Sequence, residues 1–374
     1  MQAVVINGRF LGRRPTGVDR YALEVIRALD VLIGQGDAAV RGLSFEILAP
    51  EGTPAPQGLQ HVKFRCAGKS TGYVWEQFTL PGQLRGRWLL NLCNTAPLIV
   101  RSQSVVIHDA ATARLRDVFS PVFRRAYGFM MPAIGRRASA ILTISKFSRN
   151  ELQQCWGIAT DQMALAGGSG EHILRVVPDP TTLERLNLRP QAYVLAVGSV
   201  AAHKNFARLA EAAKVLEGTG VELAVVGAAL PEVFGGEDIA QSPAVRRIGY
   251  VNDGELRALY DHALAFAFPS VYEGFGLPPL EAMQCGCPVI ASNAASIPEV
   301  CAEAAWYFDP FEQRSIQDAL LRIVANRDHR TALIAAGRLR SSRFRWSDSA
   351  RAIATSIHRR SCDADLAPAW QAPE

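Results

Sequence analysis

Between residues 268 and 292 the chain reads Phe-Pro-Ser-Val-Tyr-Glu-Gly-Phe-Gly-Leu-Pro-Pro-Leu-Glu-Ala-Met-Gln-Cys-Gly-Cys-Pro-Val-Ile-Ala-Ser, with two carboxylates, Glu273 and Glu281, eight positions apart. An apolar run ends at Pro269, and a loop containing Gly274 and Gly276 follows. Pro278 and Pro279 then stand where a fixed φ presets the first turn of a helix. Small residues let backbone N–H groups approach a ligand closely, and a helix N-terminus carries partial positive charge. An anion suits such a place, and a diphosphate fits it. Glu273 falls on the loop and Glu281 in the first turn of the helix, so the two can grip different hydroxyl-bearing parts of one ligand. Two glutamates at this spacing alone could be chance. A strand, glycine loop, proline pair and helix in that order are a far more specific composite.

Other chemistries fail on their own signatures. Gly68-Lys69-Ser70 lacks the glycine a P-loop needs five places earlier, where Lys63 stands, and no Gly-x-Gly-x-x-Gly follows the first apolar run. Cys285-Gly-Cys287 has no Cys or His partners at zinc spacing. Asp363-Ala-Asp365 falls in an expected tail, and two carboxylates without a rigid scaffold make no metal site. No metal and no cofactor are expected.

The glycine loop needs a rigid frame, and the apolar pattern supplies one. The chain has 374 residues, enough for two domains at about 150 residues each. Residues 2–7, 44–48, 60–65, 105–107, 140–144 and 175–177 read as strands; residues 18–32 have helical spacing, and Ser145 is placed to cap another helix. Three prolines and no apolar period make residues 178–190 a linker. The pattern then restarts, with strands at 193–197, 221–226, 245–248, 264–268 and 288–292 between helices at 206–217, 253–261, 280–285 and 316–325. Alternating strands and helices imply parallel sheets with right-handed crossovers, whose ligands lie at the carboxyl ends of the strands. The expected architecture is α/β: two doubly wound Rossmann-like domains facing across a cleft. Residues 1–178 form the first and 179–345 the second. A helix at 346–360 crosses back to the first, and 361–374 are a flexible tail.

Composition narrows the classes further. Apolar residues are 49% and charged residues 20%, normal for a packed protein and wrong for a disordered chain, a collagen or a coiled coil. No apolar stretch approaches the roughly 18 residues of a spanning helix, and no signal-peptide pattern opens the chain. Seven scattered cysteines read as free thiols in a reducing compartment. The net charge of +5 is uneven: residues 1–178 hold 21 Lys and Arg against 12 Asp and Glu, and the remainder 19 against 23. Arg114, Arg116, Arg124, Arg125, Arg136 and Arg137 flank the apolar stretch 126–134, a patch suited to anionic lipid or to a lipid-diphosphate substrate. A solvated helix face is the plain alternative. Nucleic acid is not expected, because no recognition motif accompanies the charge.

The segment carrying Glu273 and Glu281 resembles the Glu-x7-Glu signature of retaining glycosyltransferases with the GT-B fold, family 4 (group 1). Further similarities run along the chain in order: Pro15-Thr-Gly-Val-Asp-Arg-Tyr21, Trp75-Glu-Gln-Phe-Thr-Leu-Pro81, Ile107-His108-Asp109, Leu142-Thr-Ile-Ser-Lys-Phe-Ser-Arg-Asn-Glu151, Val197-Gly198-Ser199 and His203-Lys204-Asn205. The second of these is similar to a segment of the polysaccharide-assembly members. The resemblance implies that Glu281 hydrogen-bonds the donor ribose and that Glu273 faces the sugar ring near its anomeric carbon. It implies that backbone amides at Phe275, Gly276 and Leu277 hold the distal phosphate, that Lys204 neutralises the diphosphate, and that Gly17 and Ser199 line it. His108 would contact the transferred sugar, Tyr250 and Val251 would flank the base, and Arg20 would meet the acceptor. Ser199 stands where the family often has Arg, and His203 replaces the usual Arg beside Lys204.

By the same resemblance, the expected activity moves a sugar, mannose from GDP-mannose as the best guess, onto a polyprenyl-diphosphate-linked saccharide in bacterial exopolysaccharide or O-antigen assembly. The protein would be cytoplasmic or peripheral on the inner face of the plasma membrane. Three alternatives stay open: a UDP-sugar-dependent transferase of the same family, a GT-B nucleotide-sugar 2-epimerase, and a binding module that keeps the fold without the activity.

Overall fold

Short apolar runs between amphipathic helices become two parallel sheets. The computed structural model describes residues 1–13, 16–199, 201–227 and 242–364. It divides into two compact units: Met1–Ala113, Pro121–Gly167 and the segment from Trp346 form the first, and Arg114–Ser120 with Gly168–Arg345 form the second.

The first sheet has seven strands in the order β3-β2-β1-β4-β5-β6-β7. They are β1 (Gln2–Asn7), β2 (Leu43–Ala49), β3 (Lys63–Cys66), β4 (Trp88–Asn91), β5 (Gln103–Val106), β6 (Ala140–Thr143) and β7 (Met163–Leu165). Val4, Val5 and Ile6 are wholly buried, because helices cover both faces of a parallel sheet. Helix α1 (Gly17–Gly34) starts where the Asp19 carboxylate accepts from the Thr16 amide at 2.9 Å and its hydroxyl at 2.7 Å. It buries Tyr21, Ala22, Val25, Ile26, Leu29 and Leu32 at helical spacing. Two further helices follow, α2 (Pro121–Arg137) and α3 (Lys146–Trp156), the latter capped by Ser145, whose hydroxyl oxygen accepts from the Ser148 amide at 2.9 Å.

The second sheet has six strands in the order β10-β9-β8-β11-β12-β13. These are β8 (Tyr193–Val197), β9 (Glu222–Val226), β10 (Val245–Gly249), β11 (Ala265–Phe268), β12 (Val289–Ser292) and β13 (Ala305–Phe308). Each sheet therefore places its first strand between its second and its fourth. Chain direction reverses there, and the carboxyl ends of β1 and β4, and of β8 and β11, flank a crevice. The two crevices begin alike: the Gly8 amide donates to Leu48 O at 2.8 Å, and the Gly198 amide to Val226 O at 3.1 Å.

Several expected boundaries move. The second unit begins at Gly168 rather than at 179, because residues 168–175 pack on the helix that carries Glu281. A Cβ on Gly170 would lie 2.4 Å from the Leu280 carbonyl carbon. Since backbone cannot swing aside, Gly170→Ala is expected to lower the unfolding free energy by about 1–3 kcal/mol, read by urea denaturation. Residues 175–177 do not close the first sheet: Glu171–Arg175 is a 3-10 turn, and the last strand is β7, too short to display a period. The supposed linker belongs to the second unit, with Asp179 turning the chain through Thr181 and a short helix at Thr182–Arg185. Strands β4 and β13 and the helix Arg327–Ser341 are additions to the sequence reading.

The last helix, Trp346–Ala364, groups with the first unit, where the Trp346 ring meets Tyr21 edge-on at 5.6 Å. The Ser349 hydroxyl donates to Gly167 O. The helix runs through residues 361–364, so the expected tail shortens; residues 365–374, including Asp365, lie outside the described residues, as do Pro15 and Val200. No described helix is long and apolar enough to cross a membrane.

Candidate active site

The crevice of the second unit gathers residues from the loops after β8, β11 and β13. Asn205 adopts a left-handed conformation (φ 59°) and starts the helix α4 (Phe206–Ala212). Its side-chain amide donates to Pro269 O at 3.2 Å and Pro310 O at 2.8 Å, fastening the loop after β8 to its two neighbours. The Val271 amide donates to His203 O at 2.8 Å and adds a second tie. These ties bring Lys204 to Glu273, with Nζ 2.5 Å from Oε1 and the side chains only 18% and 16% exposed. Burial, and then the Lys204 charge, hold the His203 imidazole below its ordinary pKa. Ser199 is exposed.

The glycine loop is tied from behind. The Ser296 hydroxyl lies 2.9 Å from Glu273 O and 2.6 Å from Phe275 O. Phe275 packs edge-on against Phe344 at 5.8 Å. Gly276 has φ 131°, open in practice only to glycine, and delivers the chain into the helix Leu277–Gln284. Pro278 and Pro279 occupy its first turn as the sequence predicts. Glu281 does not: it is the fifth helical residue, one step further in. There Oε1 lies 3.0 Å from His172 Nε2, and Oε2 accepts from the Tyr260 hydroxyl at 3.0 Å. Burial and the neighbouring Glu281 push the Tyr260 phenol well up, so it stays a donor. Beyond β10, Val251 is buried while Tyr250 is 70% exposed.

The first unit holds the remaining candidates. Gly17 opens α1 with no heavy atom within 4 Å of a built Cβ, and Arg20 follows on the same helix, half-buried. His108, just past β5, is 4% exposed; Nε2 lies 2.8 Å from Leu92 O, and the ring meets Tyr21 edge-on at 4.7 Å. A carbonyl only accepts, so Nε2 carries the proton. Burial pushes His108 down to about 4, against opposing effects of Leu92 O and Asp19, so the ring is neutral and Nδ1 is its acceptor nitrogen. Asp109 turns the chain by accepting from the Ala111 amide at 2.8 Å.

This depressed histidine has a stability signature. The folded value lies below the unfolded one of 6.5, so the unfolded chain takes up more protons between them. Stability from neutral His108 is full above pH 6.5 and is lost as pH falls towards about 4. Between pH 7 and 4.5 the protein is expected to lose roughly 2–3 kcal/mol more than a His108→Gln variant, measured by urea unfolding at both pH values.

Around the first crevice the structure adds a network that the sequence reading missed. Glu76, 1% exposed, accepts from Arg9 Nε at 2.9 Å, Asn7 Nδ2 at 3.0 Å and Thr95 Oγ1 at 3.1 Å. The Arg9 guanidinium lies over the Tyr73 ring at 4.5 Å. His172 and Tyr260 were also missed. Their only sequence signal is residue type, since each partner is distant in the chain. The expected arginine patch divides between units. Arg124 and Arg125 ride on α2 with exposed Val122 and Phe129, whereas Arg114 and Arg116 fall in the segment that groups with the second unit.

Two doubly wound parallel sheets of this order define the GT-B fold. Solved structures agree: a sucrose-phosphate synthase from Thermosynechococcus elongatus superposes with a TM-score of 0.74 at 19% identity, covering 97% of this chain and 100% of that one. Anabaena HepE, in complex with UDP and glucose, superposes with a TM-score of 0.71 at 17% identity, covering 96% and 99%. Residues 182–340 match the family model for glycosyl transferases group 1. Among curated relatives, O-antigen chain mannosyltransferase B of Escherichia coli is 33% identical over 56% of this chain and 58% of its own length. O-antigen chain mannosyltransferase RfbU of Salmonella typhimurium is 26% identical over 62% and 63%. The chain thus spans about three-fifths of the length of these relatives.

Proposed function

We propose that the protein is a retaining, metal-independent glycosyltransferase that moves a sugar, mannose from GDP-mannose, onto a lipid-linked saccharide in bacterial exopolysaccharide or O-antigen assembly. The observation that carries this reading is the Lys204–Glu273 pair closed over the glycine loop at the switch point of the second sheet. Breaking a sugar–phosphate bond builds negative charge on the leaving diphosphate and positive charge on the ring. Lys204 turns to the first and Glu273 to the second, so two charges that pair with each other in the structure face the two developing charges in the transition state. Ser199 and the amides of Phe275, Gly276 and Leu277 complete the phosphate cradle, and Tyr250 and Val251 flank the base. The acceptor attacks from the face that the diphosphate leaves, and the leaving phosphate takes its proton.

The curated mannosyltransferases support mannose, and the HepE complex favours a second reading in which the donor is a UDP-sugar. The basic, partly apolar face of α2 supports an anionic membrane surface on the cytoplasmic side. Turnover of a donor panel with and without a lipid-linked saccharide tests the proposal. Release of GDP only when acceptor is present is the expected result. UDP release would install the second reading, and donor conversion without acceptor would sink the transferase. A chelator is expected to leave the rate unchanged, because Lys204 supplies the charge a metal would.

A further inference from the structure

We infer that His172 is a positioning residue that holds the Glu281 carboxylate ready for the vicinal hydroxyls of a nucleoside's ribose. The inference rests on the nucleotide-sugar reading above. Glu281 sits on a helix side, where a glutamate ordinarily samples several rotamers. Here two donors from two other elements each take one oxygen: His172 from the 3-10 turn Glu171–Arg175, with Nε2 3.0 Å from Oε1, and Tyr260 from the helix Asp253–His262, donating to Oε2 at 3.0 Å. A carboxylate offers about four lone-pair directions. These two donors, one to each oxygen, fix the plane of the carboxylate. Two hydroxyls on adjacent carbons match two oxygens held in one plane.

His172 can do this because its own segment is pinned. The side chain is 4% exposed. The Ser169 hydroxyl donates to Phe344 O at 2.7 Å. Arg257, on the Tyr260 helix, donates to Ile173 O at 3.1 Å, and Gly170 packs against the Leu280 backbone. The ring therefore reaches Glu281 from a frame tied by the protein's own contacts. The ordering entropy of the glutamate is spent on folding and is not charged to binding.

Affinity for GDP and UDP against their 2′,3′-dideoxy counterparts separates positioning from mere packing. The full chain is expected to prefer the ribonucleotide by at least about tenfold, the size of one hydrogen bond to a charged group. His172→Phe keeps the ring and removes the donor. It should cut that preference to within about threefold while leaving dideoxy affinity within about twofold. His172→Gln, whose amide nitrogen reaches the Nε2 position, should restore most of it. Tyr260→Phe should lower the preference partly, which keeps the inference testable if His172→Phe does not fold. An undiminished preference in His172→Phe, beside a lost one in Glu281→Gln, would overturn the inference and leave the nucleotide reading standing. Equal loss of affinity for ribo and dideoxy ligands would also overturn it, because His172 would then only support the fold. No ribonucleotide preference in the unaltered protein would remove both.

Discussion

Lys204→Ala is expected to lower turnover by roughly 100- to 1000-fold and to weaken binding of the free nucleoside diphosphate as well. Lys204 combines a full positive charge with a fixed position. The left-handed Asn205 and its two carbonyl ties determine where the loop after β8 goes, and the lysine emerges from that loop already aligned on Glu273 at 2.5 Å. A diphosphate entering the crevice replaces one carboxylate with a group of higher charge, so the exchange favours the ligand. Lys204→Arg is not a mild substitute, since a planar guanidinium prefers two-point contacts and is longer than the lysine it replaces. Stopped-flow or calorimetric binding of GDP and UDP, with steady-state kinetics alongside, checks the prediction. Unaltered nucleotide affinity in the alanine variant would remove the lysine from the proposed phosphate site and, with it, the proposed mechanism.

Glu273→Gln should separate binding from chemistry with the opposite sign. Without the carboxylate, Lys204 has lost the partner that competes with phosphate, so nucleoside diphosphate affinity should be unchanged or several-fold tighter. Turnover should nonetheless fall by roughly 100-fold or more, because the negative charge facing the sugar ring is gone when positive charge develops there. A buried ion pair loses stability when one partner is removed, so the variant is also expected to melt earlier than the parent. Adding nucleotide should recover part of that loss, because the ligand now supplies the missing anion. A kcat within a few-fold of the parent would show that Glu273 is only the structural counter-ion of Lys204. The two variants together are decisive, since one weakens nucleotide binding and the other does not, although both lose activity.

Much of this is legible in the amino-acid sequence. The apolar runs of β1, β8 and β11 and the helical spacing of α1 are encoded within a few neighbouring residues, because burial between layers of helices demands them. The glycine loop with its proline-started helix is equally local: Gly276 is required by its own φ, whatever surrounds it. β4 escaped because four buried residues in a row, Trp88–Asn91, display no period that tells strand from helix. The Asp179 turn and the helix after it looked like a linker for the converse reason, since prolines and polar residues also build turns inside a unit.

What the tertiary structure alone decided is which distant side chains meet. Lys204 and Glu273 are brought together by the adjacency of β8 and β11, Glu76 and Arg9 around the ends of β1 and β4, and Glu281 with His172 and Tyr260 by packing between three separate elements. Spacing along a chain specifies contacts only over one or two turns or a strand pair. Contacts across a parallel sheet depend on where each crossover returns, and that is settled by the packing of all the layers at once.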